Sequence, residues 1–397
     1  MTALPLSGIR VLDIGSLIAG PFAATMLGDF GAEVIKVEQP GAGDALRGTP
    51  VDGKAVRSPN WLVEGRNKKC VTLNLRVPAG QAILRDLVRH ADVLIENFTP
   101  GTMEKWSLGW PTLQAINPRL IMVRVSGYGQ TGPNAKRAGY DRIALGFSGY
   151  MYPTGFPDRY PVRPAFPTAD YNTGTFAALA AMFALYQRDA QGGEGQMIDL
   201  ALYEPTFRIT GDMLTKFART GAIRERIGNR NPTFAPAGTF ETKDGRFVQI
   251  AAGGDKVWQR LAEATGIAGL ATDPRYLKSR DRIARADELE KLLADWIAEH
   301  DFAEVEARLV PANVRSAESI PPPTSPPTRT TRRAPTSRRC PTRRRARSSC
   351  RPSSRRSPAP PAASPSPARR SAHTTPRSTA ICSASPRPSL RCLRRTG

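Results

Sequence analysis

GIRVLDIGSLIAGPFAATMLGDFGAEVIKVEQPGAGD, residues 8–44, holds two short apolar runs, Ile9–Ile14 and Val34–Val37, on either side of a helix-favouring stretch, Pro21–Phe30. Gly8 and Gly15 bracket the first run, as turns bracket a buried strand. Strand, helix, strand in so few residues is a βαβ unit, which joins parallel strands through a covering helix. No G-x-G-x-x-G follows the first run, so the unit is not expected to hold a dinucleotide.

The rhythm continues outward. Val71–Leu75 reads as a strand, Pro78 opens a helix that runs to His90, and Val93–Glu96 and Leu120–Val125 read as further strands. Ala169–Arg188 is rich in Ala, Leu, Met and Phe with few breakers, which predicts a buried helix beside Asp170. Met197–Leu202 follows as a strand and Glu204–Thr220 as one helix. Gly221–Pro236 is a basic, breaker-rich connection. Beyond it, Gly238–Ala251 predicts a hairpin turning at Lys243-Asp244-Gly245, and Asp255–Thr265, Arg285–His300 and Phe302–Leu309 predict helices. The expected fold class is α/β. A Rossmann-like large domain with a mostly parallel sheet (residues 1–220) is followed by a linker (221–236) and a smaller α+β domain (237–312), the division that 397 residues also suggest.

Residues 313–397 break this grammar. From 321 onward the chain carries 19 arginines, four of the five cysteines, and no Lys, Asp or Glu, leaving a charge of only about +3 of the total +22 to the first 320 residues. Composition alone predicts disorder for such an Arg/Pro/Ser tract. Its abrupt onset resembles GC-rich coding DNA translated out of frame, which places a one- or two-base slip between Val310 and Pro321. The alternative is a genuine basic tail that neutralises nucleic-acid phosphates. Arginine without lysine or interleaved aromatics suits base stacking poorly, so nucleic acid is not the expected partner. There is no CxxC metal spacing, no leader pattern at the start and no apolar run of membrane-spanning length, so no metal or membrane is expected and the cytoplasm is the expected compartment.

Six segments in order carry a resemblance to a known family: residues 8–44, RNKKCVTLNL (66–75), ADVLIENFTPGTMEKWSLG (91–109), VRVSGYGQTGP (123–133), AGYDRIALGFSG (138–149) and PTADYNTGTFAALAAMFALYQRDAQGGEGQMIDLALYE (167–204). Together they resemble the family III CoA-transferases, the CaiB/BaiF family of formyl-CoA and carnitine-CoA transferase type. The resemblance implies transfer of coenzyme A from an acyl-CoA donor to a free carboxylic acid, with CoA as substrate, no tightly bound cofactor, and an interlocked homodimer. By position Asp170 matches the family's nucleophile; alone, it would read as a plain helix cap. Ile18, Ala19, Leu73, Arg76, Asn97, Phe98, Lys105 and Tyr140 match CoA-contacting positions, and Asp141 follows where an acidic active-site residue is found. Taken singly, Arg76, Lys105 or Lys68 would read as solvated charge and Leu73 or Phe98 as core.

Departures narrow the reading. Gln39 stands where some members carry an arginine for the adenine nucleotide, and Lys105 where arginine is common. Gly253-Gly254 is a weak counterpart of the glycine-rich loop of formyl-CoA transferases, so formate and oxalate are not assigned. The rival α-methylacyl-CoA racemase reading wants a histidine in the segment held here by Gly139-Tyr140-Asp141, and His90, His300 and His373 all lie elsewhere. A folded but inactive family member, damaged by its altered C-terminus, is the other alternative. Tyr128, Tyr150, Met151 and Tyr152 read as core or lid packing before acyl pocket.

Overall fold

A computed structural model describes residues 4–48 and 58–319. The expectations for the basic tail from residue 320 onward lie outside the described residues.

Six strands form one wholly parallel sheet: β1 (Arg10–Asp13), β2 (Glu33–Glu38), β3 (Lys68–Thr72), β4 (Val93–Glu96), β5 (Ile121–Ser126) and β6 (Met197–Ala201), in the order β3-β2-β1-β4-β5-β6. This is a doubly wound order with its reversal between β1 and β4, and ligands of such sheets bind outside the carboxyl ends of the strands at that crevice. Both faces are covered, so alternate residues of one strand enter different cores. Val11, Val93, Ile95 and Val123 pack with α1 (Ala19–Asp29) and α7 (Thr168–Ala190). Leu12, Leu94 and Met122 pack on the other face with Leu84 and Val88 of α3 (Pro78–Val88), Met103 of α4 (Thr102–Lys105) and Leu113 of α5 (Trp110–Ile116).

Two expectations are corrected. The third strand is Lys68–Thr72, not Val71–Leu75. It is the edge strand, paired only with β2 from Val34↔Lys68 to Glu38↔Thr72, and its side chains are largely exposed, so apolar content does not mark it. The single helix over Glu204–Thr220 is two, α8 (Tyr203–Arg208) and α9 (Met213–Thr220), separated around Gly211, whose φ of 70° no helix accommodates. Five short helices went unforeseen by periodicity: α2 (Pro59–Glu64), α4, α5, α6 (Asp141–Phe147) and α11 (Ser279–Ala284).

Residues 237–319 have their own core. β7 (Ala237–Glu241) and β8 (Phe247–Ala251) form the expected hairpin, and β9 (Ser316–Glu318), beyond the 312 boundary, adds a third antiparallel strand. Phe240, Val248 and Ile250 pack against Trp258 and Leu261 of α10 (Asp255–Thr265), Leu293 and Ile297 of α12 (Ala286–Ala298) and Val305 and Leu309 of α13 (Phe302–Leu309), with Val314 closing the cluster. The fully buried Arg282 of α11 donates to the carbonyls of Ala235 (3.0 Å), Tyr276 (2.8 Å) and Gly253 (2.6 Å) and to Asp255 Oδ1 (2.9 Å). Gly253-Gly254 therefore works structurally: a Cβ on Gly253 would lie 2.4 Å from Phe234, and Gly254 caps α10.

Candidate active site at the carboxyl edge of the sheet

The loop from β1 to α1 crosses the β1/β4 crevice and is held from three directions. Asn97, just past β4, accepts from Ser16 N (2.8 Å) and donates to Ser16 O (2.7 Å), so its amide is occupied by the loop backbone. Leu17 follows with φ 62°, a left-handed conformation costly for a branched side chain and one that the surrounding bonds must impose. Ile18 caps α1 and Ala19 opens it, buried.

Beneath the loop lies a buried ionic cluster that topology alone assembles. Lys36 on β2 sits beside Asp13 on β1 and reaches Asp13 Oδ1 (3.3 Å), Asp44 Oδ2 (3.1 Å) and the carbonyl of Gly15. Lys68 on β3 reaches Asp13 Oδ2 (2.9 Å) and Pro21 O (2.7 Å). Both lysines are buried, so the surface-charge reading of Lys68 is wrong. Burial alone would raise the Asp13 carboxyl, but Lys36 and Lys68 more than offset it and hold it below the usual range. Burial would likewise lower the Lys36 ammonium, and Asp13 and Asp44 reverse that and raise it. Lys36→Met leaves two buried carboxylates short of a cation and is expected to cost about 3–5 kcal/mol, read from the urea midpoint. A loss below about 1 kcal/mol would show the cluster to be well hydrated.

Leu73, Arg76 and Phe98 converge on a cavity of about 150 Å³ at this edge, with Ile14, Val37 and Trp106 as further apolar walls. Phe98 is held in place by Glu96, which accepts from Phe98 N (2.7 Å) and is itself gripped by the buried Arg124 (2.7 Å). Glu38, Gln39 and Gly43 also wall a second, open depression of about 570 Å³, lined by Arg47 and Cys70. Arg47 makes a two-pronged pair with Glu38 (2.6 Å each) and lies 3.7 Å over the Trp61 ring. Arg76, which lines the first cavity, and Lys105, next in the chain to the cavity-lining Trp106, are exposed, and neither side chain is paired among the described residues. Tyr140 is 69% exposed and does not line either cavity. Tyr128, by contrast, is core, packed edge-on against Phe147 (5.1 Å), and Tyr152 donates to Glu225 (3.0 Å).

Asp170 stands apart in its chemistry. β5 and β6 are parallel neighbours, so α7, which precedes β6, begins at the carboxyl edge of the sheet. There α1 and α7 touch backbone to backbone: a Cβ on Gly174 would lie 2.7 Å from Ala19 O. Helix α7 starts at Thr168, and the free N–H of Ala169 is taken by Asp141 Oδ1 (2.8 Å). The capping duty that the sequence alone would give Asp170 thus belongs to Asp141. Asp170 accepts no hydrogen bond among the described residues, and burial, then the neighbouring Asp141 charge, push its carboxyl up to about 7. The adjacent Tyr171 donates to the buried Glu64 of α2 (3.1 Å) and packs edge-on against Phe22 of α1 (4.9 Å), fixing the first turn of α7.

The sequence model of CoA-transferase family III matches residues 6–322. The chain belongs to CoA-transferase family III. Within this family it is 47% identical over 308 residues, 77% of this chain and 75% of the relative, to the succinyl-CoA–L-malate CoA-transferase beta subunit of Chloroflexus aurantiacus. It is 37% identical over 327 residues, 80% of this chain and 81% of the relative, to the succinate–glutarate CoA-transferase of Agrobacterium fabrum. The crystal structure of a CaiB/BaiF family protein from Brucella suis superposes with a TM-score of 0.73 at 35% identity, covering 81% of this chain and 85% of that one. This family III CoA-transferase was recognisable from its motifs. Leu17, Trp106, Arg47, Asp13 and Lys36 were not singled out, and Lys68 was read as surface charge, because each acquires its place only through contacts distant in sequence. Among the described residues no group of three His, Cys, Asp or Glu side chains is placed to hold a metal, and no helix is long and apolar enough to cross a membrane.

Proposed function

We propose that Asp170 is the nucleophile that carries CoA from an acyl-CoA donor to a dicarboxylic acid. The carboxylate attacks the thioester carbonyl, forming a mixed anhydride and releasing CoA thiolate. The thiolate attacks the aspartyl carbonyl, the donor acid leaves, and Asp170 becomes a CoA thioester. The acceptor carboxylate then displaces the thiolate to form a second anhydride, and thiolate attack on the acceptor carbonyl gives the product and restores Asp170. The observation that carries this reading is a carboxyl at the carboxyl edge of the sheet, freed from capping by Asp141 and accepting no hydrogen bond among the described residues. The apolar cavity at Leu73 and Phe98 suits pantetheine, and Arg76 and Lys105 suit the CoA phosphates, while Ile18, Ala19 and Asn97 shape the loop between the cavity and α7. Succinate, malate and glutarate, named for the relatives, are all dicarboxylic acids, which supports that acceptor class.

Labelled donor acid is expected to exchange into its CoA thioester with no acceptor present. An enzyme that transfers CoA yet never exchanges the donor alone would rule out the covalent route. No deuterium is expected to enter the α-position of an acyl-CoA, since the segment Gly139-Tyr140-Asp141 carries no histidine to serve as the racemase base. The family match ends at residue 322, close to Pro321 where acidic residues cease, which supports a reading-frame slip there. A coding sequence confirmed without a length error between Val310 and Pro321 would remove that idea. Leu179, Phe183 and Tyr186 form an exposed stripe along α7 (47, 54 and 63% exposed), and a second copy is its proposed cover, tested by sedimentation.

A further inference from the structure

We infer that Arg163 is the docking group for the second, non-reacting carboxylate of the acceptor acid; this rests on the dicarboxylate reading above. Arg163 lies in the irregular segment that leads into α7, and its Nε is 3.9 Å from Asp141 Oδ2. Asp141 in turn touches the first turn of α7 through Ala169 N, and its charge is felt at Asp170. Arginine, both acids and the start of α7 therefore form one contiguous cluster.

The bonding of Arg163 is unusual for a covered guanidinium. Its side chain is 33% exposed, yet it donates no hydrogen bond among the described residues, and 3.9 Å is too long for one to Asp141. Arg124 and Arg188, by contrast, each grip carboxylates at 2.7 Å. The planar fork of Arg163 is thus loosely paired, open to solvent and shaped to take a carboxylate with two parallel bonds.

Charge makes such a group necessary. Asp141 and Asp170 already place two carboxylates together, and a dicarboxylate brings two more negative charges to the same place. Repulsion between unit charges a few ångströms apart is several kcal/mol in a partly dry site, enough to exclude a dianion unless a cation meets it. Arg163 is the guanidinium paired with this acidic cluster. The exposed ring of Phe166, three residues further along the same segment and 69% exposed, offers apolar surface for the methylene links.

The test compares succinate with butyrate, equal in carbon number but with one carboxylate fewer, by calorimetric titration of the full chain, which needs no turnover. Arg163→Met is expected to weaken succinate binding about 10-fold or more, while butyrate binds wild type and variant alike. Arg163→Lys, which keeps charge but loses the fork, is expected to fall between and guards against misfolding of the first variant. Equal succinate affinity in wild type and Arg163→Met, equal losses for both acids, or no preference for succinate in the wild type would each overturn the assignment. Donor-acid exchange in the wild type reads the Asp170 proposal separately, so failure of one does not masquerade as failure of the other.

Discussion

Asp170→Ala is expected to lower CoA exchange between acids by on the order of 10⁴-fold or more, with the folded state intact. A nucleophile that forms the covalent intermediate has no substitute, because removing the carboxylate removes the route and not merely a contact. Loss of a cap would look different: it costs about 1 kcal/mol of stability and leaves chemistry nearly untouched. Here the cap is Asp141, so the cost in stability should appear in Asp141→Ala and not in Asp170→Ala. Steady-state exchange together with a urea titration separates the two. Activity within tenfold of wild type would return Asp170 to a structural role.

Asp170→Asn is expected to stabilise the protein at high pH and to do nothing at low pH. Burial, then the neighbouring Asp141 charge, push the folded-state carboxyl up to about 7 from its ordinary 3.8. A carboxyl raised on folding binds its proton more tightly in the native state. Native stability is therefore full below the unfolded value and declines as pH rises through the window from 3.8 to about 7. Removing the charge recovers that loss, on the order of 1–3 kcal/mol after allowance for partial exposure. Urea midpoints at pH 8 should favour the variant, and midpoints near pH 3.5 should coincide. The same shift governs rate: donor-acid exchange should fall below pH 7 as Asp170 takes up its proton. Asp141→Asn keeps the acceptor for Ala169 N but drops the charge, so it should move that limb to lower pH. A limb unmoved in this variant would mean that Asp141 does not couple to Asp170.

Much of this architecture can be read before folding. The buried strands Arg10–Asp13, Val93–Glu96 and Ile121–Ser126 and the long helix through Asp170 announce themselves because burial on both faces demands unbroken apolar runs. The edge strand Lys68–Thr72 does not, since exposure frees it from that demand and its one buried lysine is rescued by Asp13, on a strand two places away. Likewise the short helices α2, α4, α5, α6 and α11 are too brief for a period to emerge. At the candidate site, Asp170 and the apolar residues Leu73 and Phe98 were named through segment resemblance. What distinguishes Asp170 physically was not, because it depends on Asp141 capping α7 from a separate helix and on Glu64 holding Tyr171 from another. Arg163 escaped for the same reason: an arginine in an irregular segment has no periodicity to reveal its neighbours.

The most direct measurement is the chemical fate of one carboxyl. Enzyme mixed with an acyl-CoA, quenched with hydroxylamine and mapped by peptide mass spectrometry should carry a hydroxamate on Asp170, in proportion to enzyme and absent without the thioester. A hydroxamate on any other carboxyl, or none while CoA exchange proceeds, would contradict the account.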